Sequence, residues 1–252
     1  MDSEAERRSV DDLERSVHVW TLDLRMPERM VAKLIPILDS DERKRAESFR
    51  FEALRRSFVI AHGMLRCLIG NYLKSDAASI RFRNGPKGKP ALRRPPYLQF
   101  SLTHSGNLAA FAFTSGCQIG LDLERIRTVE ELEGIASRFF CPEEYAELLS
   151  LPPEHRERAF FLCWTRKEAY LKAIGDGLAA PLDNFRVTLR SEEPARIMHI
   201  RHDSNEAERW ILHDLRLAPG YAAALAYASK PRTLLVHPSE HAEQILIEYM
   251  TW

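Results

Sequence analysis

The segment Ile119-Gly120-Leu121-Asp122-Leu123-Glu124 sets two carboxylates two residues apart. In a strand, side chains at i and i+2 leave the same face, so Asp122 and Glu124 project together from an otherwise apolar run. Like charges held side by side are costly unless a cation lies between them. Paired hard oxygen ligands suit magnesium, which keeps waters and shares its remaining positions with substrate phosphates. An Asp-x-Glu strand end alone is more often solvated, or paired with arginines such as Arg125 and Arg127. A second segment, Trp164-Thr165-Arg166-Lys167-Glu168-Ala169-Tyr170-Leu171-Lys172, shifts that balance. Trp164, Glu168, Leu171 and Lys172 share one helical face, with Lys167 at its edge. On a face that also carries Trp and Leu, Glu168 and Lys172 point inward or toward a cleft, unlike an ordinary surface pair one turn apart. A third group is basic and polar. Lys87 and Lys89 flank Gly88 ahead of Pro90, and Thr103-His104-Ser105-Gly106 follows a strand. A phosphate needs N–H, hydroxyl and cationic donors converging from Gly-bearing turns, which both segments supply.

The elements that must position these groups follow from hydrophobic period and punctuation. Val17 to Leu24 alternates as a strand, and Pro27 opens a helix through Leu38. Ser40 or Asp41 caps the next helix, and Glu52 to Leu73 has the apolar spacing of a long amphipathic one. Leu98–Leu102, Leu108–Thr114 and Ile119–Leu123 read as an antiparallel meander. Helices are expected over Glu130–Phe139, Pro142–Leu149 and about Glu154–Ala173, the last stopped by Gly175 and Gly177. Strands follow at Phe185–Leu189, Met198–His202, Trp210–Leu217 and Tyr221–Ala228, then a short helix near His241–Tyr249. A long helix, a Gly-containing loop and strands thus occur twice. The expectation is an α+β fold of two similar lobes, each a long helix on a small, mainly antiparallel sheet, with the active site between them. The boundaries are 1–117 for the N-terminal lobe, 118–230 for the C-terminal lobe and 231–252 for a C-terminal tail.

Composition narrows the partners. At 252 residues, 45% hydrophobic and 29% charged, the chain has the profile of a soluble globular protein. Lys plus Arg (36) balances Asp plus Glu (36), which argues against nucleic acid. The acidic N-terminus is no signal or transit peptide, and Phe58–Leu73 is too short and too interrupted to span a bilayer. Cys67, Cys117, Cys141 and Cys163 lack Cys-x-x-Cys spacing and read as reduced thiols of a cytoplasmic protein.

Together, Phe100-Ser101-Leu102-Thr103-His104-Ser105-Gly106, Ile119 to Glu124, and Trp164 to Leu178 resemble the 4'-phosphopantetheinyl transferases of the large, pseudo-dimeric surfactin-synthetase-activating (Sfp-type) class. The last segment matches that family's W-x-x-K-E-(A/S)-x-x-K-x-x-G-x-G-L signature at every defined position. Weaker likeness runs from about Trp20 to Ala228; the tail after Pro231 is not accounted for. The resemblance implies transfer of 4'-phosphopantetheine from coenzyme A to a serine of an apo acyl or peptidyl carrier protein, with 3',5'-ADP leaving. It implies magnesium, or manganese in its place, held by Asp122, Glu124 and Glu168. Lys172 would serve the leaving phosphate, and either Glu144 or Glu168 would be the base. Thr103 and His104 match coenzyme-phosphate contacts, Gly88-Lys89-Pro90 the loop around the nucleotide, and Arg45 and Arg56 cations for the 3'-phosphate. Thr103 stands where the surfactin-type enzyme has Ser, which keeps the hydroxyl; Glu42 stands where it has a lysine. A duplicated chain is expected to act as a monomer without membrane contact, meeting its carrier near Phe139–Leu149. A magnesium-dependent phosphodiesterase acting on a nucleotide-like molecule is the alternative from another reaction class.

Overall fold

The computed structural model describes residues 10–85, 88–176, 181–201 and 205–250. Lys87, His202 and the run from Gly177 to Ala180 lie outside the described residues. The chain enters as β1 (Ser16–Asp23), then forms α1 (Glu28–Leu34), α2 (Ser40–Glu47) and α3 (Glu52–Leu73). Two hairpins follow, β2 (Phe82–Asn84) with β3 (Pro90–Leu92) and β4 (Leu98–Ser105) with β5 (Leu108–Ser115). The second half runs β6 (Ile119–Arg125), α4 (Leu132–Phe139), α5 (Pro142–Ser150), α6 (Pro153–Ile174), β7 (Phe185–Val187), β8 (Ile197–Ile200), β9 (Ile211–Asp214) and β10 (Tyr221–Tyr227). It closes with β11 (Thr233–His237) and α7 (Ser239–Met250).

Side-chain alternation divides the central strands between cores. Trp20 and Leu22 of β1, with Phe111 and Phe113 of β5, share a core with Met64 and Leu68 of α3. Their neighbours Val17, Val19, Ala110 and Ala112 turn the other way, onto Leu121 and Leu123 of β6 and Leu225 and Tyr227 of β10. Ala222, Ala224 and Ala226 of β10 pack with Phe161, Ala169 and Leu171 of α6. The order is therefore helix, sheet, sheet, helix. The central strands β1 and β5 are covered on both faces and lack a polar outer side; β5 is buried along its whole length.

The two main sheets run β11-β1-β5-β4 and β6-β10-β9, and β1 and β11 pair parallel. This corrects the expected three-strand meander. β4 and β5 pair antiparallel, but β6 leaves that sheet and pairs with β10. Pro36 ends the helix begun after Pro27 early, at Leu34, in a short 3-10 turn. Residues set apart as a tail return to the N-terminal lobe, where β11 extends the sheet beside β1 and Ala242 and Leu246 of α7 enter the α3 core. The four cysteines are free thiols. Among the described residues no helix is long and apolar enough to cross a membrane.

The two lobes repeat a device. α3 and α6 are each 22 residues long and end on a left-handed residue, Lys74 and Gly175. Each follows a short helix with a capping-box glutamate, Glu42 on α2 and Glu144 on α5. Each of those glutamates reaches a fully buried cation on the long helix: Glu42 meets Arg66 at 2.6 Å and Glu144 meets Lys167 at 2.8 Å.

Candidate active site

Gly120 sets how close α6 comes to β6. A Cβ there would stand 2.0 Å from the Ala169 carbonyl oxygen and 2.3 Å from the Ala173 amide nitrogen, so strand and helix backbones touch directly. Glu168 and Lys172, each one residue before those contacts, are thereby brought to the Asp122 face of β6. Lys172 Nζ donates to Asp122 Oδ1 at 2.6 Å and to Thr103 Oγ1 at 3.2 Å, and the Thr103 hydroxyl donates to the same Oδ1 at 3.3 Å. Ser105 Oγ donates to Glu124 Oε2 at 2.8 Å. The acids come from the C-terminal lobe and the hydroxyls from β4 of the N-terminal lobe.

The site is short of positive charge. Asp122 and Glu168 are 4% and 6% exposed, and Asp122 Oδ2 and Glu168 Oε1 are buried without a hydrogen-bond partner among the described residues. Burial, then the charge of Asp122, pushes the Glu168 carboxyl up to about 7, while Lys172 works against that rise. Burial also raises Glu124, opposed by the Ser105 hydrogen bond and reinforced by Asp122. Among the described residues no group of three His, Cys, Asp or Glu side chains is closed into a metal-holding arrangement. The two partnerless carboxylate oxygens, with Lys172 bonded to Asp122 alone of the three acids among the described residues, are nevertheless what a hard divalent cation fits.

Other candidates are placed as follows. His104, next to Thr103 on β4, is held below the usual histidine value by burial and then by His62 and Lys172. Lys89 turns its Nζ to the Ile119 and Ala173 carbonyls, at 2.7 and 3.3 Å, pinning its loop to the start of β6 and the end of α6. Burial brings that ammonium down to about 8. Gly88 is exposed in the β2–β3 turn, and Pro90 opens β3. Arg56 is engaged by Glu28 and the Met26 carbonyl, and Arg45 lies over the Phe49 ring at 5.3 Å. Neither contact joins the acid cluster. Glu42 is bonded to Arg66, His62 and the Asp39 amide.

Glu144 stands apart from Asp122, Glu124 and Glu168. It is fully buried, accepts from the Val187 and Cys141 amides at 2.7 and 3.0 Å, and pairs with Lys167. Both its oxygens are occupied within the C-terminal lobe. Ser101 and Ser105 carry hydroxyls that join β4 to β6; sequence reasoning gave Ser101 no role and Ser105 only a place in the Thr103–Gly106 phosphate-donor segment. The signal was present in the alternating hydroxyls Ser101, Thr103 and Ser105 on one face of β4.

A family model described as 4'-phosphopantetheinyl transferase superfamily matches residues 118–226, and one described as 4'-phosphopantetheinyl transferase, N-terminal, matches 27–116. The chain is 40% identical over 219 residues to 4'-phosphopantetheinyl transferase HetI of Nostoc sp. (strain PCC 7120), spanning 86% of this chain and 89% of that one. It is 29% identical over 235 residues to 4'-phosphopantetheinyl transferase psf-1 of Bacillus pumilus, spanning 93% and 95%. With 4'-phosphopantetheinyl transferase Sfp of Bacillus subtilis (strain 168) it shares 30% identity over 160 residues, 64% of this chain and 70% of that one.

Proposed function

The chain belongs to the 4'-phosphopantetheinyl transferase family, and from that premise we propose that it moves 4'-phosphopantetheine from coenzyme A to a serine of an apo acyl or peptidyl carrier protein, releasing 3',5'-ADP. The observation that carries the site assignment is the pair of buried, partnerless oxygens, Asp122 Oδ2 and Glu168 Oε1, beside Lys172. Asp122, Glu124 and Glu168 would hold magnesium or manganese, which neutralises pyrophosphate oxygens when bound. Thr103 and Lys172 meet at Asp122, while His104 leaves the other face of β4; all three are assigned to the coenzyme phosphates. Gly88, Lys89 and Pro90 form the loop assigned to the nucleotide, with Lys89 acting by pinning it. Arg56 would have to leave Glu28 to meet the 3'-phosphate, a task it would share with Arg45.

Of the two candidate bases we assign Glu168. Among the described residues its Oε1 has no hydrogen-bond partner, whereas both oxygens of Glu144 are occupied. Glu168 would help hold the cation and would accept the serine hydroxyl proton. The serine oxygen bonds to the phosphorus bearing the pantetheine arm, the pyrophosphate bridge breaks, and Lys172 steadies the departing phosphate. Positioning and charge neutralisation supply the rate, without a protein nucleophile. Both halves of the site lie on one chain, which supports a monomer; a cytoplasmic setting fits the free thiols. The α4–α5 stretch from Phe139 to Leu149 is assigned to carrier contact.

Incubation with coenzyme A, magnesium and several apo carriers, followed by intact mass spectrometry, tests this reading. The carrier should gain one phosphopantetheine. No gain with any carrier overturns it, and coenzyme A cleavage without carrier modification would favour the phosphodiesterase, for which no observation in the site speaks.

A further inference from the structure

β4 and β6 belong to different sheets, yet one face of β4 is joined to β6 at every second residue. Ser101 Oγ accepts from the Leu121 amide at 2.9 Å, Thr103 meets Asp122, and Ser105 Oγ accepts from the Arg125 amide at 3.1 Å while donating to Glu124. Hydroxyls can do this because each both donates and accepts, so a single oxygen holds a backbone N–H of β6 and a carboxylate of the same strand. Only Ser105 does both.

The end of the β4–β5 hairpin is itself docked. Gly106 takes φ +57°, and a Cβ there would stand 2.9 Å from the Tyr221 hydroxyl and 3.1 Å from Arg125 Cδ. The Asn107 amide donates to the Tyr221 hydroxyl at 3.3 Å, and Tyr221 pairs with Arg125 across β10 and β6. The hairpin tip is thus braced against the strand ends next to Glu124, and Ser105 cannot drift from it. Glu124 lies near the end of β6 and is only half-buried, so without an anchor its side chain would be free to turn to water. The bond takes Oε2; among the described residues no hydrogen bond engages Oε1.

We infer that Ser105 is a positioning residue: the N-terminal lobe, through this hydroxyl, holds Glu124 in the orientation from which Oε1 joins Asp122 and Glu168 around the cation. This rests on the reading of the three acids as a metal site. Partners that orient a ligating carboxylate typically change metal affinity 10- to 100-fold when removed.

The test compares Ser105→Thr with Ser105→Val in the full chain. The two side chains have nearly the same shape and both suit a strand, so their difference reports the hydroxyl and not packing. Mn2+ binding is measured by electron paramagnetic resonance with coenzyme A present, alongside the magnesium concentration giving half-maximal carrier modification. S105T is expected to bind Mn2+ as the parent does, and S105V about tenfold more weakly, with its magnesium requirement raised in proportion. Ser101→Ala, which removes a seam bond without touching a carboxylate, should leave both readouts unchanged. Equal Mn2+ affinity for S105V and S105T overturns the inference, as does an S101A loss as large as that of S105V. Parent-like Mn2+ binding by D122A sinks the metal reading itself, a result separable from either of these.

Discussion

At the scale of single residues, the proposed chemistry turns on buried carboxylates with oxygens to spare. Asp122 is buried with Oδ1 bonded to Lys172 and Oδ2 without a partner among the described residues. Replacing Asp122 or Glu168 by Ala removes repulsion rather than packing, and Lys172, with its side chain 30% exposed, can turn to solvent. Both variants should lose transfer by the mass assay while unfolding as cooperatively as the parent; loss of folding in both would mark the cluster as structural. Glu168 also carries a pH signature. Its carboxyl lies near 7 when folded, against an ordinary 4.5, so the folded state binds that proton more tightly than the unfolded chain does. Its contribution is fully present below 4.5 and is lost as pH rises through 7, by about 3 kcal/mol at most. Denaturant unfolding without metal should show this slope in the parent and not in Glu168→Gln. Metal, which selects the carboxylate, should bind more tightly as pH rises over the same range.

At the scale of elements, the two lobes use a buried cation of the long helix in the same way. Glu42 with Arg66, and Glu144 with Lys167, tie a short capped helix to a long one in each half. Breaking a buried pair from one side leaves an uncompensated charge, which costs about 3–5 kcal/mol. Glu144→Ala should therefore lower Tm steeply, in contrast to the site acids; parent-like Tm with lost transfer would return Glu144 to the list of bases. The β6–α6 contact gives a second expectation. At Gly120 an added methyl meets helix backbone, which cannot rotate away, so G120A must push α6 off β6 and carry Glu168 and Lys172 with it. Reduced Tm together with weakened Mn2+ binding is the expected outcome. An unchanged melt would show that strand and helix are less tightly set than the backbone distances require.

At the scale of the molecule, the site exists only where two sheets face each other, and the chain's last segment guards the half that supplies the hydroxyls. β11 pairs with β1 from Ser16–Thr233 to Trp20–His237, and His237 packs tilted against Trp20 with ring centroids 4.2 Å apart. Ending the chain at Pro231 would bare the hydrogen-bonding edge of β1 and open the α3 core at Ala242 and Leu246. Thermal unfolding of that truncation should show a large loss of stability, or an unfolded N-terminal lobe by hydrogen exchange, with β6–α6 amides protected longest. Equal protection in both lobes would show the segment to be a dispensable appendage.

The local chemistry was legible in the sequence. The i, i+2 carboxylates of β6 and the Trp164–Lys172 helical face follow from strand and helix periods, which need only near neighbours, and the α3 and α6 boundaries from apolar spacing and end signals. Partners far apart in the chain were not legible. Nothing local tells that β6 abandons β5 for β10, since a fully buried strand reads the same beside either neighbour. Glu144, quoted beside the site by likeness, is claimed instead by Lys167 and the Val187 amide, which only packing of α5, α6 and β7 brings together. Ser105 shows the division most plainly. Its hydroxyl was in view as a turn residue, but a hydroxyl's role is set by what stands within 3 Å of it, and Glu124 arrives there only when the two lobes close.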